Sequence, residues 1–211
     1  YRDNTHMSIW PWSDLVSMVM RHARPDRPDF KVLEVGCGAG ANIPFFLSLG
    51  VQFFAIEGSP SIVKQLHKKY PILEQRIRTA DFTQEIPFEE TFDLVIDRGS
   101  ITHNTTPAIH RCLSLIDSKL RQSGKFIGID WFSTDFSEYH KGHPTGDPYT
   151  RTGFETGHFA HVGNVHFSDE QHLRGLFAGY NLVALEHKKT ERLIPNDHLQ
   201  LAAWNFVGVK R

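Results

Sequence analysis

The stretch VLEVGCGAG, residues 32–40, decides the fold class of this chain. It begins as a short apolar run of the kind that forms a buried strand, and it ends in three glycines spaced two residues apart. Glycines at that spacing let the backbone turn tightly and come close to a ligand at the start of a helix. The sequence therefore predicts a strand, a ligand-binding loop and a helix in direct succession.

Two kinds of ligand are compatible with this loop. Gly36, Gly38 and Ala41 occupy the three positions of the dinucleotide fingerprint G-x-G-x-x-G/A. Glu34, however, lies two residues before the first glycine, and a carboxylate is a poor neighbour for a pyrophosphate, which prefers bare backbone N–H groups. An acid at this position favours a ligand that carries positive charge, such as S-adenosylmethionine with its ammonium and sulfonium groups.

Strands and helices alternate over residues 30–130. Apolar runs predict strands at 31–35, 51–58, 76–82, 91–100 and 125–132, and helical periodicity marks most of the segments between them, the longest at 106–124 with Gly124 as its end. Such alternation is typical of βαβ units with parallel strands. We predict an α/β fold: a doubly wound, mostly parallel, seven-stranded Rossmann-like sheet with an antiparallel last strand, whose ligands bind outside the carboxyl ends of the strands.

The chain is predicted to form one domain, 1–211, in four parts. Residues 1–29 form an N-terminal cap helix, 30–130 the cofactor-binding core, 131–167 an insertion after the fifth strand, and 168–211 a closing helix and strand pair. The insertion is rich in glycine, histidine and aromatic residues, and a loop of this length in a compact domain is usually functional. We expect it to fold over the carboxyl edge of the sheet as a substrate lid.

Composition argues against several functional classes. The 211 residues carry 23 Lys and Arg against 24 Asp and Glu, so no basic field attracts nucleic acid. No apolar run approaches the ~20 residues of a membrane helix, and the opening residues lack the apolar region of a signal peptide. Cys37 and Cys112 are expected to be free thiols. We therefore expect a cytoplasmic protein, monomeric or homodimeric, without nucleic-acid or membrane partners.

Four motifs carry a resemblance to a known family. VLEVGCGAG, AIEGSP, TADF and FDLVIDRGS follow one another in an order and at separations that resemble class I S-adenosylmethionine-dependent methyltransferases. The resemblance covers about residues 30–130 and extends to the two closing strands. It implies S-adenosyl-L-methionine as the cofactor and a Rossmann-like fold around it.

The resemblance also implies which residues bind the cofactor. Glu57 would accept from the ribose hydroxyls, and Glu34 would shape the loop and hold the ammonium through water. Asp81 would accept from the adenine amino group, beside the ring of Phe82. The remaining cofactor contacts implied in this way are the loop residues Gly36, Cys37, Gly38 and Gly40, the adenine neighbours Gly58 and Ser59, the methionine contacts Asp97 and Arg98, and the cap residues Trp10 and Trp12.

Several of these assignments have a structural alternative. Asp97 is also placed to form an ion pair with Arg98 that serves only the local structure. Phe82, Trp10 and Trp12 are also compatible with simple core packing, because aromatic residues near strand ends and before helices often belong to the core. The sequence does not choose between these readings.

Candidate acceptor residues lie in two segments. A general base assists transfer to a hydroxyl, and histidine suits that role near neutral pH. The segment after the fourth predicted strand and the insertion supply the candidates. The catalytic candidates are His103, Asp97, His158 and His161, and the substrate-binding candidates are Ser100, His103, Asp130, Tyr149, Arg151 and His166. The alternative for each lid histidine is a surface or hydrogen-bonded loop residue, and the H-x-x-H spacing at 158–161 matches no standard metal site, so we predict no metal.

The predicted function is methyl transfer from S-adenosylmethionine to a small molecule, at a hydroxyl oxygen rather than a nitrogen. Enzymes that methylate exocyclic amines of bases carry an Asn- or Asp-Pro-Pro-aromatic run after the fourth strand, where this chain has residues 97–100, DRGS. Two alternatives remain open. One is an NAD(P)-dependent oxidoreductase that uses the same glycine turn, and the other is a non-catalytic module that binds S-adenosylmethionine.

Overall fold

A seven-stranded sheet forms the centre of the computed structural model, which describes residues 8–211. Its strand order is β3-β2-β1-β4-β5-β10-β9, and β6, β7 and β8 form a separate three-stranded sheet. The strands are β1 (Lys31–Val35), β2 (Gln52–Glu57), β3 (Ile77–Thr79), β4 (Phe92–Arg98), β5 (Leu120–Phe132), β6 (His143–Pro144), β7 (Thr150–Thr152), β8 (Val165–His166), β9 (Tyr180–Glu191) and β10 (Gln200–Lys210).

Within residues 8–211, five α-helices cover the two faces of the large sheet. They are α1 (Ser13–His22), α2 (Ile43–Ser48), α3 (Pro60–Lys69), α4 (Thr106–Lys119) and α5 (Glu170–Leu176). Apolar residues of α1, α2 and α3 pack in one core cluster, and those of α4 and α5 pack in a second. None of the helices described over residues 8–211 is both long enough and apolar enough to cross a membrane.

The pairing of the strands confirms the predicted fold class. The neighbours β1–β2, β1–β4, β2–β3 and β4–β5 are parallel, whereas β10 runs antiparallel to both β5 and β9. The strand order reverses between β1 and β4, and parallel sheets bind ligands at the carboxyl ends of the strands where this happens. The first seven residues of the predicted N-terminal cap lie outside the described residues.

The longest predicted helix ends earlier than its sequence pattern indicates. α4 stops at Lys119, and β5 begins at Leu120, so Gly124 lies inside a strand rather than at a helix end. A Cβ on Gly124 would lie 2.7 Å from the carbonyl oxygen of Arg121. Glycine is therefore required at position 124 because the backbone of Arg121 comes too close to leave room for a side chain. The helix end that was predicted at Gly124 is wrong.

The insertion after β5 has a small apolar core of its own. Its centre is a cluster of buried side chains from Phe136, Phe154, Phe159, Val165 and Phe167. Asp147 attaches it to the start of α4, accepting hydrogen bonds from the Thr106 backbone N–H at 2.5 Å and from the Thr106 hydroxyl at 3.0 Å. The insertion thus packs against the segment that follows the carboxyl end of β4.

Candidate cofactor and acceptor site

A cavity of about 430 Å³ opens at the carboxyl ends of β1, β2 and β4. Most of the predicted cofactor residues line it, together with Ser8, Ala39, Ala41, Asn42 and Gly99, which the sequence reasoning missed. The predicted residues that the structure brings together here are Trp12, Glu34, Gly36, Cys37, Gly38, Glu57, Gly58, Phe82, Arg98, Ser100 and His103.

The glycine loop is fixed by its neighbours on both sides. The backbone N–H groups of Gly36 and Cys37 donate to the Ile56 carbonyl at 2.9 and 3.0 Å, and the Ser100 hydroxyl donates to the Gly36 carbonyl at 2.9 Å. Gly36 has φ +69°, and a Cβ there would lie 2.3 Å from Ser100. Only glycine fits, because both the backbone conformation and the contact exclude a side chain.

Gly40 supports the loop from behind and does not line the cavity. A Cβ on Gly40 would lie 2.7 Å from both Ile43 and Leu66, so this glycine allows the loop to pack closely on α2 and α3. Close packing of loop and helix is one of the roles that glycines have in such fingerprints. The predicted direct contact between Gly40 and the cofactor is not supported by this position.

Glu57 closes the loop with both of its carboxylate oxygens. One accepts from the backbone N–H of Gly38 and the other from that of Ser59, each at 2.9 Å. Each oxygen keeps a second lone pair, so the carboxylate is still able to accept from ligand hydroxyls. Ser59 itself does not line the cavity, and its hydroxyl pairs with Ser61 at 2.9 Å.

Glu34 is a buried acid with one unsatisfied oxygen. The Asn42 amide donates to Oε1 at 2.7 Å, whereas Oε2 has no hydrogen-bond partner within residues 8–211. Burial raises the pKa of Glu34 to about 8, and the hydrogen bond from Asn42 opposes that rise. The Glu34 side chain is therefore mostly protonated near pH 7, and a cationic ligand in the cavity would favour its ionised carboxylate form.

Asn42 is the functional residue that sequence reasoning missed most clearly. Its amide oxygen accepts from the Trp12 backbone N–H at 3.4 Å, so it joins the N-terminal segment to Glu34. Asn42 is buried, although it directly precedes the short helix α2. The signal available in the sequence was a polar residue, Asn42, directly before the helix that follows the glycine loop.

Arg98 lies between Trp12 and Asp130. Its guanidinium carbon is 3.5 Å from the centre of the Trp12 ring, and its Nη2 atom is 2.7 Å from an Asp130 carboxylate oxygen. Trp12 lines the cavity, but Trp10 is 69% exposed and does not. The predicted aromatic cap therefore consists of one tryptophan within the described residues.

The Asp97 side chain points away from the cavity, contrary to the sequence-based expectation. Its Oδ1 atom accepts from the backbone N–H groups of Ser100 and Ile101 at 3.0 and 3.1 Å, and the residue is fully buried. Desolvation raises the pKa of Asp97 to about 7, and these two hydrogen bonds lower it. Alternation along β4 directs Arg98 into the cavity and Asp97 behind it, and Arg98 pairs with Asp130 instead.

Asp81 also stays outside the cavity. Its Oδ1 atom accepts from the backbone N–H of Thr83 at 2.9 Å and from the Thr83 hydroxyl at 2.7 Å, which makes a local turn after β3. Phe82, the next residue, lines the cavity. Of the two residues predicted to contact the adenine, only Phe82 therefore lies on the cavity.

His103 presents an exposed ring to the cavity. Its Nδ1 atom is 3.3 Å from the Asn164 carbonyl oxygen, and its ring packs edge-to-face on Phe132 with centroids 5.8 Å apart. A carbonyl only accepts, so Nδ1 carries the proton and Nε2 keeps the basic lone pair. Desolvation lowers the pKa of His103, although the residue keeps part of its surface exposed.

A second cavity of about 230 Å³ borders the first at Arg98. Asp130 and His158, both predicted from the sequence, line this second cavity. Asp130 has φ +55°, a strained conformation for a residue with a side chain, and its N–H donates to the buried Asn205 amide oxygen at 2.9 Å. The strained backbone holds Asp130 where it pairs with Arg98.

Two predicted acceptor residues stabilise the insertion instead. His166 is fully buried with its Nε2 atom 3.0 Å from that of His172, and burial lowers the pKa of His166 to about 3. Tyr149 stacks on His172 at 3.5 Å. Neither His166 nor Tyr149 lines either of these two cavities.

Arg151 and His161 do not reach either cavity. The Arg151 guanidinium lies over the Tyr139 ring, 4.3 Å from its centre, and donates to the Tyr139 hydroxyl. His161 is exposed, and its backbone N–H donates to Phe154. Within residues 8–211 no three His, Cys, Asp or Glu side chains form a group suited to a metal ion.

Comparison with known proteins agrees with this geometry. Residues 32–124 match the model of a family described as a methyltransferase domain. A tRNA U34 carboxymethyltransferase of Hahella chejuensis is 30% identical over 132 residues, covering 59% of this chain and 38% of that protein. The chain therefore spans well under half the length of this curated relative.

Solved structures share the fold over most of the chain. A SAM-dependent methyltransferase from Methanosarcina mazei has a TM-score of 0.69 at 16% identity, covering 87% of this chain and 93% of that one. The 1,6-didemethyltoxoflavin-N1-methyltransferase of Burkholderia thailandensis, solved with S-adenosylhomocysteine, has a TM-score of 0.63 at 20% identity, covering 94% of this chain and 77% of that one. The domain match and the shared fold agree with the resemblance found in the sequence: residues 32–124 match a methyltransferase domain, and the chain has the fold of S-adenosylmethionine-dependent methyltransferases.

Proposed function

We propose that this chain binds S-adenosylmethionine in the cavity at the ends of β1, β2 and β4 and transfers its methyl group to a small molecule. The observation that carries the proposal is the pair of acids on that cavity. Glu57 braces the glycine loop through Gly38 and Ser59, and Glu34 keeps one oxygen unsatisfied within the described residues. When bound, the cofactor would supply an electrophilic methyl group on its sulfonium sulfur, and these acids would complement its positive charge.

A dinucleotide fits the same loop less well. The acids Glu34 and Glu57 both line the cavity, and the guanidinium of Arg98 is already paired with Asp130. Among the described residues that line the cavity, no arginine or lysine is left unpaired to balance a pyrophosphate beside these two acids. This charge distribution favours S-adenosylmethionine over NAD(P) as the ligand.

A hydroxyl is the acceptor group that the site serves best. Its oxygen would attack the methyl carbon in line, the bond from that carbon to sulfur would break, and the hydroxyl proton would pass to Nε2 of His103. The hydrogen bond from Nδ1 to Asn164 leaves Nε2 as the base, and the lowered pKa keeps the ring neutral near pH 7. Asp97, buried behind the cavity, positions the segment 100–101 and takes no proton from the acceptor.

A small-molecule acceptor and a cytoplasmic setting complete the proposal. The net charge of −1 offers no general attraction to RNA, and the tRNA named for the Hahella chejuensis relative belongs to that protein. Cys37 and Cys112 are free and buried, which suits a reducing compartment. We propose no nucleic-acid partner for this chain.

The test separates the two acceptor classes directly. The purified chain is incubated with S-adenosylmethionine labelled at the methyl group, once with a low-mass metabolite extract and once with total tRNA. We expect label in the low-mass fraction, with His103→Ala as the variant that loses it. Label in tRNA alone would overturn the small-molecule acceptor, and label in neither fraction would favour the non-catalytic module.

A further inference from the structure

The second cavity, defined by Arg98, Phe132, Phe136, His158, Lys188 and Ala203, is separate from the loop that would hold the cofactor. We propose that it binds the methyl acceptor, and that this acceptor is a single aromatic ring with an anionic substituent. The inference rests on the proposed function, because it identifies the acceptor class of the same reaction.

The floor of this cavity is one face of the sheet edge. Ala203 of β10 lies directly opposite Phe132 of β5 and also opposite Lys188 of β9. Directly opposed residues of neighbouring strands project their side chains to the same face. Two residues further along, Leu201 and Thr190 are opposed in the same way and also line the cavity. The neighbouring strands β5, β10 and β9 therefore form the floor of the cavity, with the small residue Ala203 at its centre.

Aromatic rings form the side walls. Phe132 and Phe136 meet edge-to-face with ring centroids 6.3 Å apart, and the His158 ring lies 5.7 Å from that of Phe136. The small side chain of Ala203 leaves the space between these rings and the floor open. The faces and edges of these three rings favour a planar aromatic ligand, because offset-stacked and edge-to-face contacts between aromatic rings are stabilising.

The charges on the cavity favour an anionic substituent. Arg98 and Asp130 neutralise each other, and Lys188 adds a positive charge at the opposite side. Lys188 pairs with Asp14 of α1, but both side chains are about 40% exposed, at 43% and 39%. Exposed pairs contribute little, so an anionic ligand competes well for this lysine.

Arg98 and Phe132 form the boundary between the two cavities. Arg98 lines both, and Phe132 lines the second cavity while its ring contacts His103 of the first. A ring held in the second cavity would therefore direct a hydroxyl past this boundary to the side where His103 lies. The volume is sufficient, since an apolar cavity of about 150 Å³ already holds benzene.

The test uses 4-hydroxybenzoate as the probe on protein saturated with S-adenosylhomocysteine. Titration is followed by calorimetry and by NMR, with 4-hydroxybenzamide as the neutral analogue and 4-hydroxycyclohexanecarboxylate as the non-aromatic one. We expect 4-hydroxybenzoate to bind, and each analogue to bind at least fivefold more weakly. No binding of 4-hydroxybenzoate would overturn the proposal, and equal binding of an analogue would overturn the aromatic or the anionic part of it.

Two variants locate the binding. Ala203→Trp fills the floor and should abolish binding of 4-hydroxybenzoate, and Lys188→Gln should weaken it about fivefold without affecting the neutral amide. Lys189→Gln is the matched control, because this neighbour makes a similar exposed pair with Asp135 and does not line the cavity. Undiminished binding to Ala203→Trp would place the probe elsewhere and overturn the proposal.

S-adenosylhomocysteine titration of the same samples separates this inference from the proposed function. Normal S-adenosylhomocysteine affinity in Ala203→Trp shows that the variant is folded, and the loss of the probe then reports on the second cavity. If the wild-type chain binds S-adenosylhomocysteine but not the probe, the acceptor class fails alone. If it binds no S-adenosylhomocysteine, the proposed function fails first and the acceptor site with it.

Discussion

The guanidinium of Arg98 stacks on the ring of Trp12, with its central carbon 3.5 Å from the ring centre. This contact joins the N-terminal segment to the end of β4 and forms one wall of the cofactor cavity. Arg98 also holds Asp130, so one side chain connects the N-terminal segment, β4 and the second cavity. A substitution of Trp12 should therefore weaken binding of the ligand in the cavity at the ends of β1, β2 and β4.

Trp12→Ala should weaken binding of S-adenosylhomocysteine by about 1 kcal/mol, because a partly exposed cation–π contact contributes roughly that amount. Trp12→Phe should retain most of the affinity. The control is Trp10→Ala, since Trp10 is 69% exposed and outside the cavity. Calorimetric titration measures all three. Equal losses for Trp10→Ala and Trp12→Ala would mean that the stacking has no specific role.

Glu57→Ala should weaken S-adenosylhomocysteine binding by about 1–3 kcal/mol, the cost of leaving polar groups without partners. The variant removes the acceptor for the N–H groups of Gly38 and Ser59 and the proposed acceptor for the ribose hydroxyls. Glu57→Gln keeps one acceptor oxygen and should lose less. Unchanged affinity in Glu57→Ala would place the ribose elsewhere.

Gly36→Ala should impair the loop more than Gly38→Ala. Both glycines have positive φ, at +69° and +51°, but only a Cβ on Gly36 would collide with Ser100, at 2.3 Å. Gly38→Ala should cost about 1 kcal/mol of unfolding free energy from backbone strain alone. The double variant Gly36→Ala/Ser100→Gly should recover part of the stability lost in Gly36→Ala. Denaturant unfolding checks the series, and equal losses for the two single variants would refute the proposed contact.

The contribution of Glu34 to the stability of the ligand-free protein should fall as the pH rises from about 4.5 to about 8. Burial raises the pKa of Glu34 from its ordinary 4.5 to about 8, so over this range the native state binds more protons than the unfolded state. Asp97, whose pKa is raised from 3.8 to about 7, acts in the same direction. Glu34→Gln should remove the contribution of this acid, so the free energy of unfolding of the variant minus that of the wild-type chain should rise from pH 4.5 to pH 8. If the variant and the wild-type chain show the same dependence of unfolding free energy on pH, Glu34 is already ionised in the native state over this range.

His103→Ala should lower turnover far more than cofactor affinity. The base role needs Nε2, which the Nδ1 contact to Asn164 leaves free, whereas none of the proposed cofactor contacts involves this ring. Single-turnover rates with saturating S-adenosylmethionine give the first quantity, and titration with S-adenosylhomocysteine gives the second. The rate should fall about 100-fold or more, in the range typical of general-base removal. Equal losses in both quantities would remove His103 as the base.

The fold and the cofactor loop were predictable because their signals are local. The run at 32–40 contains a strand, its glycine turn and the acid Glu34 within nine residues, and the structure brings these together in one cavity. Glu57 was equally accessible, since it ends an apolar strand. Asn42 was not predicted, because its role depends on a contact with Trp12, thirty positions away.

The acceptor side was less accessible to sequence reasoning. Ala203, Phe132 and Lys188 come together only through the register of the closing strand pair β9 and β10 against β5, which lies about 50 residues earlier in the chain. In the insertion, His158 lines a cavity while His166 is buried against His172, and nothing in their spacing distinguishes them. Side-chain direction in a loop is set by how its aromatic core packs, which the sequence pattern does not encode.

The Asp97 side chain, near the end of β4, likewise points in a direction that the sequence pattern did not predict. The sequence placed it at the carboxyl edge correctly, but alternation along β4 turned it behind the cavity. A one-residue shift in the strand would exchange Asp97 with Arg98. Strand position was predictable from apolar periodicity, whereas the face on which the last residues point was not.

Calorimetric titration of the purified chain with S-adenosylhomocysteine, beside NAD under the same conditions, tests the central claim most directly. The acids Glu34 and Glu57 on the cavity predict micromolar binding of S-adenosylhomocysteine and no binding of NAD. Binding of NAD without S-adenosylhomocysteine would contradict the account and assign the glycine loop to a dinucleotide.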